Sequence, residues 1–121
     1  MVEVHSTVGT LVVLGYFILL ILNVMTMSRG RAFSWQQYVS YAAATLLALQ
    51  YLLGFSLLGE GKSITAFHFI IALLAIIPLG MEHAYAQAKP TVKERAQWAA
   101  IANALTLALV LVAYIIGMSS S

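Results

Sequence analysis

Four stretches of predominantly apolar residues, at about 5–27, 36–58, 64–87 and 97–117, follow one another with only short polar segments between them. About 20 such residues cross a hydrocarbon core of roughly 30 Å, so each stretch is long enough to span. Backbone inside a bilayer must satisfy its own hydrogen bonds, and for segments of this length that means helix. Composition points the same way. Of the 121 residues, 62% are hydrophobic and 8% are charged, more apolar surface than a soluble domain of this size can hide. The expected fold is all-α: a polytopic membrane protein with one domain, a four-transmembrane-helix up-down-up-down bundle in contact with lipid.

Several classes are excluded. There is no cysteine, hence no disulfide, thiolate metal site or covalently attached c-type haem. A net charge of +2 gives no footprint for nucleic acid. The first stretch lacks a preceding Lys or Arg and a small-residue cleavage pattern, and its apolar core is too long for a signal peptide. Gly61-Lys62-Ser63 matches the end of a Walker motif, but position 56 holds Ser56 instead of its first glycine and no strand precedes it. Small four-helix exporters depend on a carboxylate in the middle of helix 1. Here that helix has only Glu3, at its edge.

Five of the six basic residues set an orientation. Arg29 and Arg31 lie in the first loop, Lys89, Lys93 and Arg95 in the third, and only Lys62 lies on the opposite side. Positive residues stay inside, so both termini are expected outside and the first and third loops in the cytoplasm. Trp35 and Tyr38 suit the interface at the start of the second stretch.

The candidate chemistry lies in His5 and His68, which open the first and third stretches and so share a membrane face. An ionisable side chain inside a spanning helix suggests a functional site when a partner exists. At 100° per residue, His5, Gly9, Val12, Tyr16 and Asn23 fall on one line, and His68, Ala72, Ala75, Leu79 and Glu82 form the matching stripe. Polar residues in a bilayer point toward partners, so these stripes face the bundle interior. The small residues Gly9 and Ala72, each four after a histidine, leave room either for a flat macrocycle or for close helix packing. Two neutral imidazoles would ligate a haem iron from both sides, which makes haem b the cofactor expected and His5 and His68 its metal ligands. Helices 1 and 3 lie diagonally across such a bundle, where a macrocycle could sit between them. A magnesium chlorin, needing one imidazole, is the second cofactor considered.

Around that pair, Glu3, Ser6 or the Tyr114 hydroxyl could accept the free imidazole N–H. Lys62 and Ser63 could meet haem propionates. Gln50, near Gly54, suits an interhelical hydrogen bond or the lining of a pigment or quinone pocket. His83 lies fifteen residues beyond His68, about 22 Å along a helix, and cannot share its iron. With Glu82 it reads as an interfacial pair. Pro78 is expected to kink the third helix by removing its bond to the Leu74 carbonyl. Ala100, Ala104 and Ala108 form a small-residue ridge suited to a tight helix contact.

The segments VHSTVGTLVVLGYFILL, LQYLLGFSLL and FHFIIALLAII, the last followed by a basic loop, resemble a family of small four-helix b-type-cytochrome-like bacterial membrane proteins. They are more loosely similar to one half of haem A synthase. His5, Leu49-Gln50-Tyr51-Leu52-Leu53-Gly54 and His68 carry the match. The resemblance implies a haem-binding electron-transfer protein, or the haem-carrying subunit of a redox complex, in a bacterial plasma membrane. Alternatives are a cofactor-free accessory subunit of a respiratory or photosynthetic complex and a pigment-binding subunit. Other membrane subunits or a second copy would be its partners. The family's histidine before the Leu-Gln of helix 2 is here Ala48, which leaves two candidate ligands and removes a second cofactor's support.

The charge pattern generates a direct test of sidedness. A reporter fused after Ser121 should behave as external and one inserted near Arg31 as cytoplasmic. Protease cutting the 88–95 loop only from outside would reverse the orientation while leaving His5 and His68 on a shared face.

Overall fold

The computed structural model describes residues 2–61 and 65–119. It is all-helical among these residues. Four helices are long and apolar enough to cross a membrane: α1 (Val2–Arg29), α2 (Gln36–Gly59), α3 (Ala66–Ala88) and α4, which begins at Val92 and runs to Ser119. The expected start of the third stretch at Ile64 lies outside the described residues, as do Ser120 and Ser121 of the serine tail.

Local sequence sets the ends. The Gly30 N–H donates to the Thr26 carbonyl at 2.8 Å, and φ of +77° at Gly30 turns the chain out of α1. Thr65 caps α3, its hydroxyl accepting from the His68 N–H at 3.2 Å. α4 starts five residues before the apolar run because Thr91 and Glu94 form a capping pair. The Thr91 hydroxyl accepts from the Glu94 N–H at 3.1 Å and donates to the Glu94 carboxylate at 3.1 Å. A charged first turn is thereby helical where hydropathy alone suggested loop.

α3 is not uniform. Its α-helical hydrogen bonding ends at Leu74, resumes over Ile76–Gly80, widens into a π turn at Met81–Tyr85 and tightens to a 3₁₀ turn at Ala86–Ala88. Pro78 explains the first interruption, since it cannot donate to Leu74. The π turn was not expected. It leaves the Glu82 carbonyl to accept from the Gln87 side chain at 3.3 Å.

The helices alternate in direction. Gly54, near the end of α2, meets His5 at the start of α1, and Tyr114, near the end of α4, meets Thr10. α1 packs along both α4 and α2, and α3 packs on α4, giving the order α2–α1–α4–α3 with α1 and α3 on a diagonal. The backbones of α2 and α3 stay apart. Side chains bridge them: the Tyr51 hydroxyl donates to the Ala72 carbonyl, Ser40 donates to Glu82 at 2.8 Å, and Phe55 meets Phe69 edge-on at 6.1 Å.

The buried face of α4 is small or polar, Leu19, Leu22, Leu47 and Leu57 of α1 and α2 are buried, and many other large aliphatic residues point out. On α4 the buried set is Ala96, Ala99, Ala100, Ala102, Asn103, Thr106, Val110 and Ala113. Of the alanine ridge expected at the helix contact, Ala100 is buried but Ala104 and Ala108 are exposed, so the ridge as a stripe runs away from that contact. Leu14, Phe17, Ile18 and Ile21 of α1 are exposed, while Gly9, Val12, Tyr16 and Asn23 are buried as the stripe predicted. This arrangement suits lipid as the surrounding solvent, because close backbone packing and interhelical hydrogen bonds then hold the bundle.

At the end carrying the first and third loops, a directional chain of polar groups ties all four helices. The Thr26 hydroxyl donates to Gln36 Oε1 at 2.9 Å, and Gln36 Nε2 donates to Asn23 Oδ1 at 3.0 Å. Asn23 Nδ2 donates to Asn103 Oδ1 at 2.6 Å, and Asn103 Nδ2 donates to Glu82 Oε1 at 2.9 Å. Glu82 is 2% exposed and is therefore part of the bundle core, as its place on the helix 3 stripe implies and contrary to its reading as one of an interfacial pair. Replacing Asn103 with Leu strands a donor on Asn23 and an acceptor on Glu82. The variant should lose about 1–3 kcal/mol or more of stability, measured by reversible unfolding in mixed micelles; unchanged stability would show that the chain of bonds holds nothing together.

Candidate functional site

His5 and His68 come together. Their ring centroids are 6.3 Å apart and the rings are crossed at 81°. They face a cavity of about 710 Å³ to which all four helices contribute, among them Gln50 and Tyr51 from α2, Ala72 from α3 and Tyr114 from α4. Its volume lies within the roughly 300–1,000 Å³ usual for small-molecule sites. The open side between α2 and α3 is what leaves this space.

His68 is held by its surroundings. Its Nδ1 lies 2.7 Å from the Ala113 carbonyl oxygen. A carbonyl can only accept, so Nδ1 carries the proton and Nε2 of the neutral ring keeps its lone pair. A backbone carbonyl in this role is a common way of orienting a metal-binding imidazole. Gly117, one turn beyond Ala113, makes the approach possible: a Cβ there would lie 3.0 Å from Cε1 and 3.1 Å from Nδ1 of His68. His5 lies over Gly54 less closely, a Cβ there falling at an ordinary contact distance of 3.4 Å from its Cε1. Its Nδ1 is buried without a hydrogen-bond partner in the protein.

The remaining candidates separate. The space beside Gly9 is filled by Gln50 and Tyr114, whose Nε2 and Cδ2 stand 3.0 and 3.3 Å from where a Cβ would be. The Tyr114 hydroxyl pairs with Thr10 at 2.9 Å and so is partnered away from His5. Gln50 lines the cavity, but its Oε1 is buried without a partner, so this oxygen makes none of the interhelical bonds expected of it. Ala72 lines the cavity and its carbonyl accepts from Tyr51. Tyr16 is fully buried in the core below the cavity, with its hydroxyl unpartnered, and is absent from the cavity wall. Glu3 and Ser6 sit at the mouth. Lys62 and Ser63, considered for propionates, lie outside the described residues.

Sequence reasoning missed the Ala113 carbonyl and the two glycine seats. Gly54 and Gly117 were visible as glycines inside apolar spans. A backbone acceptor carries no residue signal at all.

These groups can hold a macrocycle more readily than a bare ion. Among the described residues no three His, Asp or Glu side chains converge as a metal centre. A tetrapyrrole brings four equatorial nitrogens and asks the protein only for axial ones. With metal–imidazole bonds of roughly 2 Å, two rings sharing one metal would have centres about 6 Å apart. The observed 6.3 Å and the orphaned Nδ1 of His5 are compatible with that requirement.

Comparison of the chain with family models, with curated proteins and with solved structures gives no match.

The seating of His68 can be tested without any ligand. Gly117→Val should push the ring off Ala113, and the hydrogen-bonded Nδ1–H signal of His68 in ¹⁵N NMR should disappear. A retained signal would mean that the ring is not held against α4 as described.

Proposed function

We propose that the chain is a membrane-embedded haem b-binding electron-transfer protein, or the haem-carrying subunit of a larger redox complex. The observation that carries this is the meeting of His5 and His68 at 6.3 Å, from diagonal helices, at the wall of one cavity. The resemblance of the His5, Leu49–Gly54 and His68 segments to small b-type-cytochrome-like bacterial membrane proteins supports it from the sequence side.

A haem bound there would supply one-electron redox chemistry. The protein's part is to bind, orient and exclude. His68 offers the Nε2 lone pair, with its tautomer fixed by the Ala113 carbonyl. His5 offers the second imidazole. Gly54 and Gly117 let both rings lie flush against their helices. Leu47, Leu73 and Val110 line the space with apolar surface and keep water from it. With His5 and His68 both holding such a group, small gaseous ligands would find no open site.

The proposed setting is a bacterial plasma membrane with both termini outside. Five basic residues cluster at the end opposite the histidines. There Arg29 lies over the Phe33 ring at 4.0 Å, and Lys89 lies over the Tyr85 ring at 3.9 Å, next to Trp98. Cations stacked on aromatic rings suit a headgroup interface. The exposed apolar faces leave room for other membrane subunits or a second copy.

One observation favours a second reading. His68 is anchored and His5 Nδ1 is not, an asymmetry that a single-imidazole magnesium chlorin would also fit.

The absorption spectrum of the purified, haem-supplemented protein separates these. Bis-imidazole ligation should give a sharp reduced α band that carbon monoxide does not shift. His68→Ala should abolish the spectrum, and His5→Ala should leave a high-spin species that now binds carbon monoxide. A folded protein with no visible absorbance would sink haem binding and promote the cofactor-free accessory subunit; a chlorin spectrum would favour the pigment-binding subunit.

A further inference from the structure

The end of the bundle away from His5 and His68 holds the one buried carboxyl among the described residues. Glu3 and Glu60 are exposed and Glu94 is partly so, whereas Glu82 is 2% exposed. Asn103 donates to its Oε1 at 2.9 Å and Ser40 donates to its Oε2 at 2.8 Å. Behind Asn103 the donors of Asn23 and Gln36 point along the chain toward the carboxyl, while the single Thr26 hydroxyl proton is shared between Gln36 and the Leu22 carbonyl. Such an aligned series of dipoles steadies a negative charge. None of its members carries a full positive charge, and burying an unpaired anion is costly. The two influences oppose each other, so neither form of the carboxyl is locked.

A path to water adjoins it. His83 Nε2 is buried without a hydrogen-bond partner and stands 3.7 Å from Glu82 Oε1. The His83 side chain is 29% exposed and its ring lies against Tyr41 with centroids 6.3 Å apart. Glu82 and His83 both line a cleft of about 480 Å³ that also holds Tyr41 and Arg95. The titratable and charged groups around the carboxyl are thus Tyr16 from α1, Tyr41 from α2, His83 from α3 itself and Arg95 from α4.

We propose that Glu82 is a proton-exchange site, with His83 as the relay that carries the proton between the cleft and the buried carboxyl. Protonated His83 gives its Nε2 proton to Glu82 Oε1, leaving a neutral imidazole and a carboxylic acid, and the imidazole regains a proton from hydronium reaching the cleft, which leaves as water. The 3.7 Å gap closes with a small side-chain movement to hydrogen-bond length. The ligand is a proton and not a metal ion because the donor set is one carboxylate and one imidazole, and the Arg95 guanidinium in the same cleft repels a metal cation. The site stands apart from any cofactor at the opposite end and does not depend on one.

Infrared difference spectroscopy tests this on the full chain in vesicles of phosphatidylcholine and phosphatidylglycerol, recorded against pH. With only four acidic side chains in the protein, the carboxylic acid bands are few enough to assign. A deuterium-sensitive C=O band should grow as pH falls and be lost in Glu82→Gln. Ser40→Ala, which removes one donor and keeps the carboxyl, should shift that band, so the assignment holds even if Glu82→Gln fails to fold. His83→Gln should keep the band but slow proton exchange, followed with a pH indicator after a rapid pH jump, at least tenfold. A band insensitive to Ser40→Ala, or no titrating band from a buried carboxyl, overturns the site; unchanged exchange in His83→Gln overturns the relay.

Discussion

The hydrogen bond from Asn23 to Asn103, at 2.6 Å between buried side chains of α1 and α4, sets the register on which the rest of the bundle depends. α1 and α4 form the most extensive helix pair, and the buried face of α4 is built of alanine, threonine, asparagine and valine. Where a helix pair has no hydrophobic driving force between it and lipid, small residues and a polar lock decide which faces meet. With α1 and α4 in register, Tyr114 arrives beside Thr10 and the Ala113 carbonyl arrives where His68 can donate to it. α2 and α3 are then attached to opposite sides of this pair. They reach each other through side chains alone, and the two cavities follow from that separation.

The two ends of the molecule are chemically unlike. At one end two imidazoles face a largely apolar space. Each rests on a glycine of a neighbouring helix, and no charged residue on α2, α3 or α4 lines that space, Glu3 standing at its mouth. At the other, a carboxyl accepts from a hydroxyl on α2 and an amide on α4, with α1 joined through Asn23. A bundle of four short-looped helices has few places to put polar groups, and each such group needs a partner. Placing Glu82 at the end opposite His5 and His68 keeps those two imidazoles away from the buried carboxyl. It also keeps Glu82 close to the basic loops and to water.

Much of this was legible in the residues. Length and hydropathy specify four helices, and a 100° periodicity correctly assigns Gly9, Val12, Tyr16 and Asn23 to the interior. The juxtaposition of His5 and His68 follows from alternating directions and the diagonal placement of α1 and α3. Other features need more than periodicity. The α3 stripe places Glu82 toward the interior, but its position near the end of an apolar run, beside His83, reads as interfacial, where carboxylates are usually solvated. The π turn and Asn103, 21 residues away, accompany its burial. The start of α4 was hidden because a charged turn reads as loop unless the Thr91–Glu94 cap is weighed. The alanine ridge held only at Ala100, because spacing of four gives a stripe but does not say which stripe faces the partner. Asn103 and Thr106, polar and on the buried side, mark the correct face.

The central claim is that His5 and His68 act on one ligand from opposite sides. Electron paramagnetic resonance of the oxidised, haem-reconstituted protein addresses it most directly, because the signal reports both axial ligands and their relative orientation. The crossed rings, at 81°, call for a low-spin signal of large anisotropy. A high-spin signal, or a low-spin signal that survives replacement of either histidine, would contradict the account.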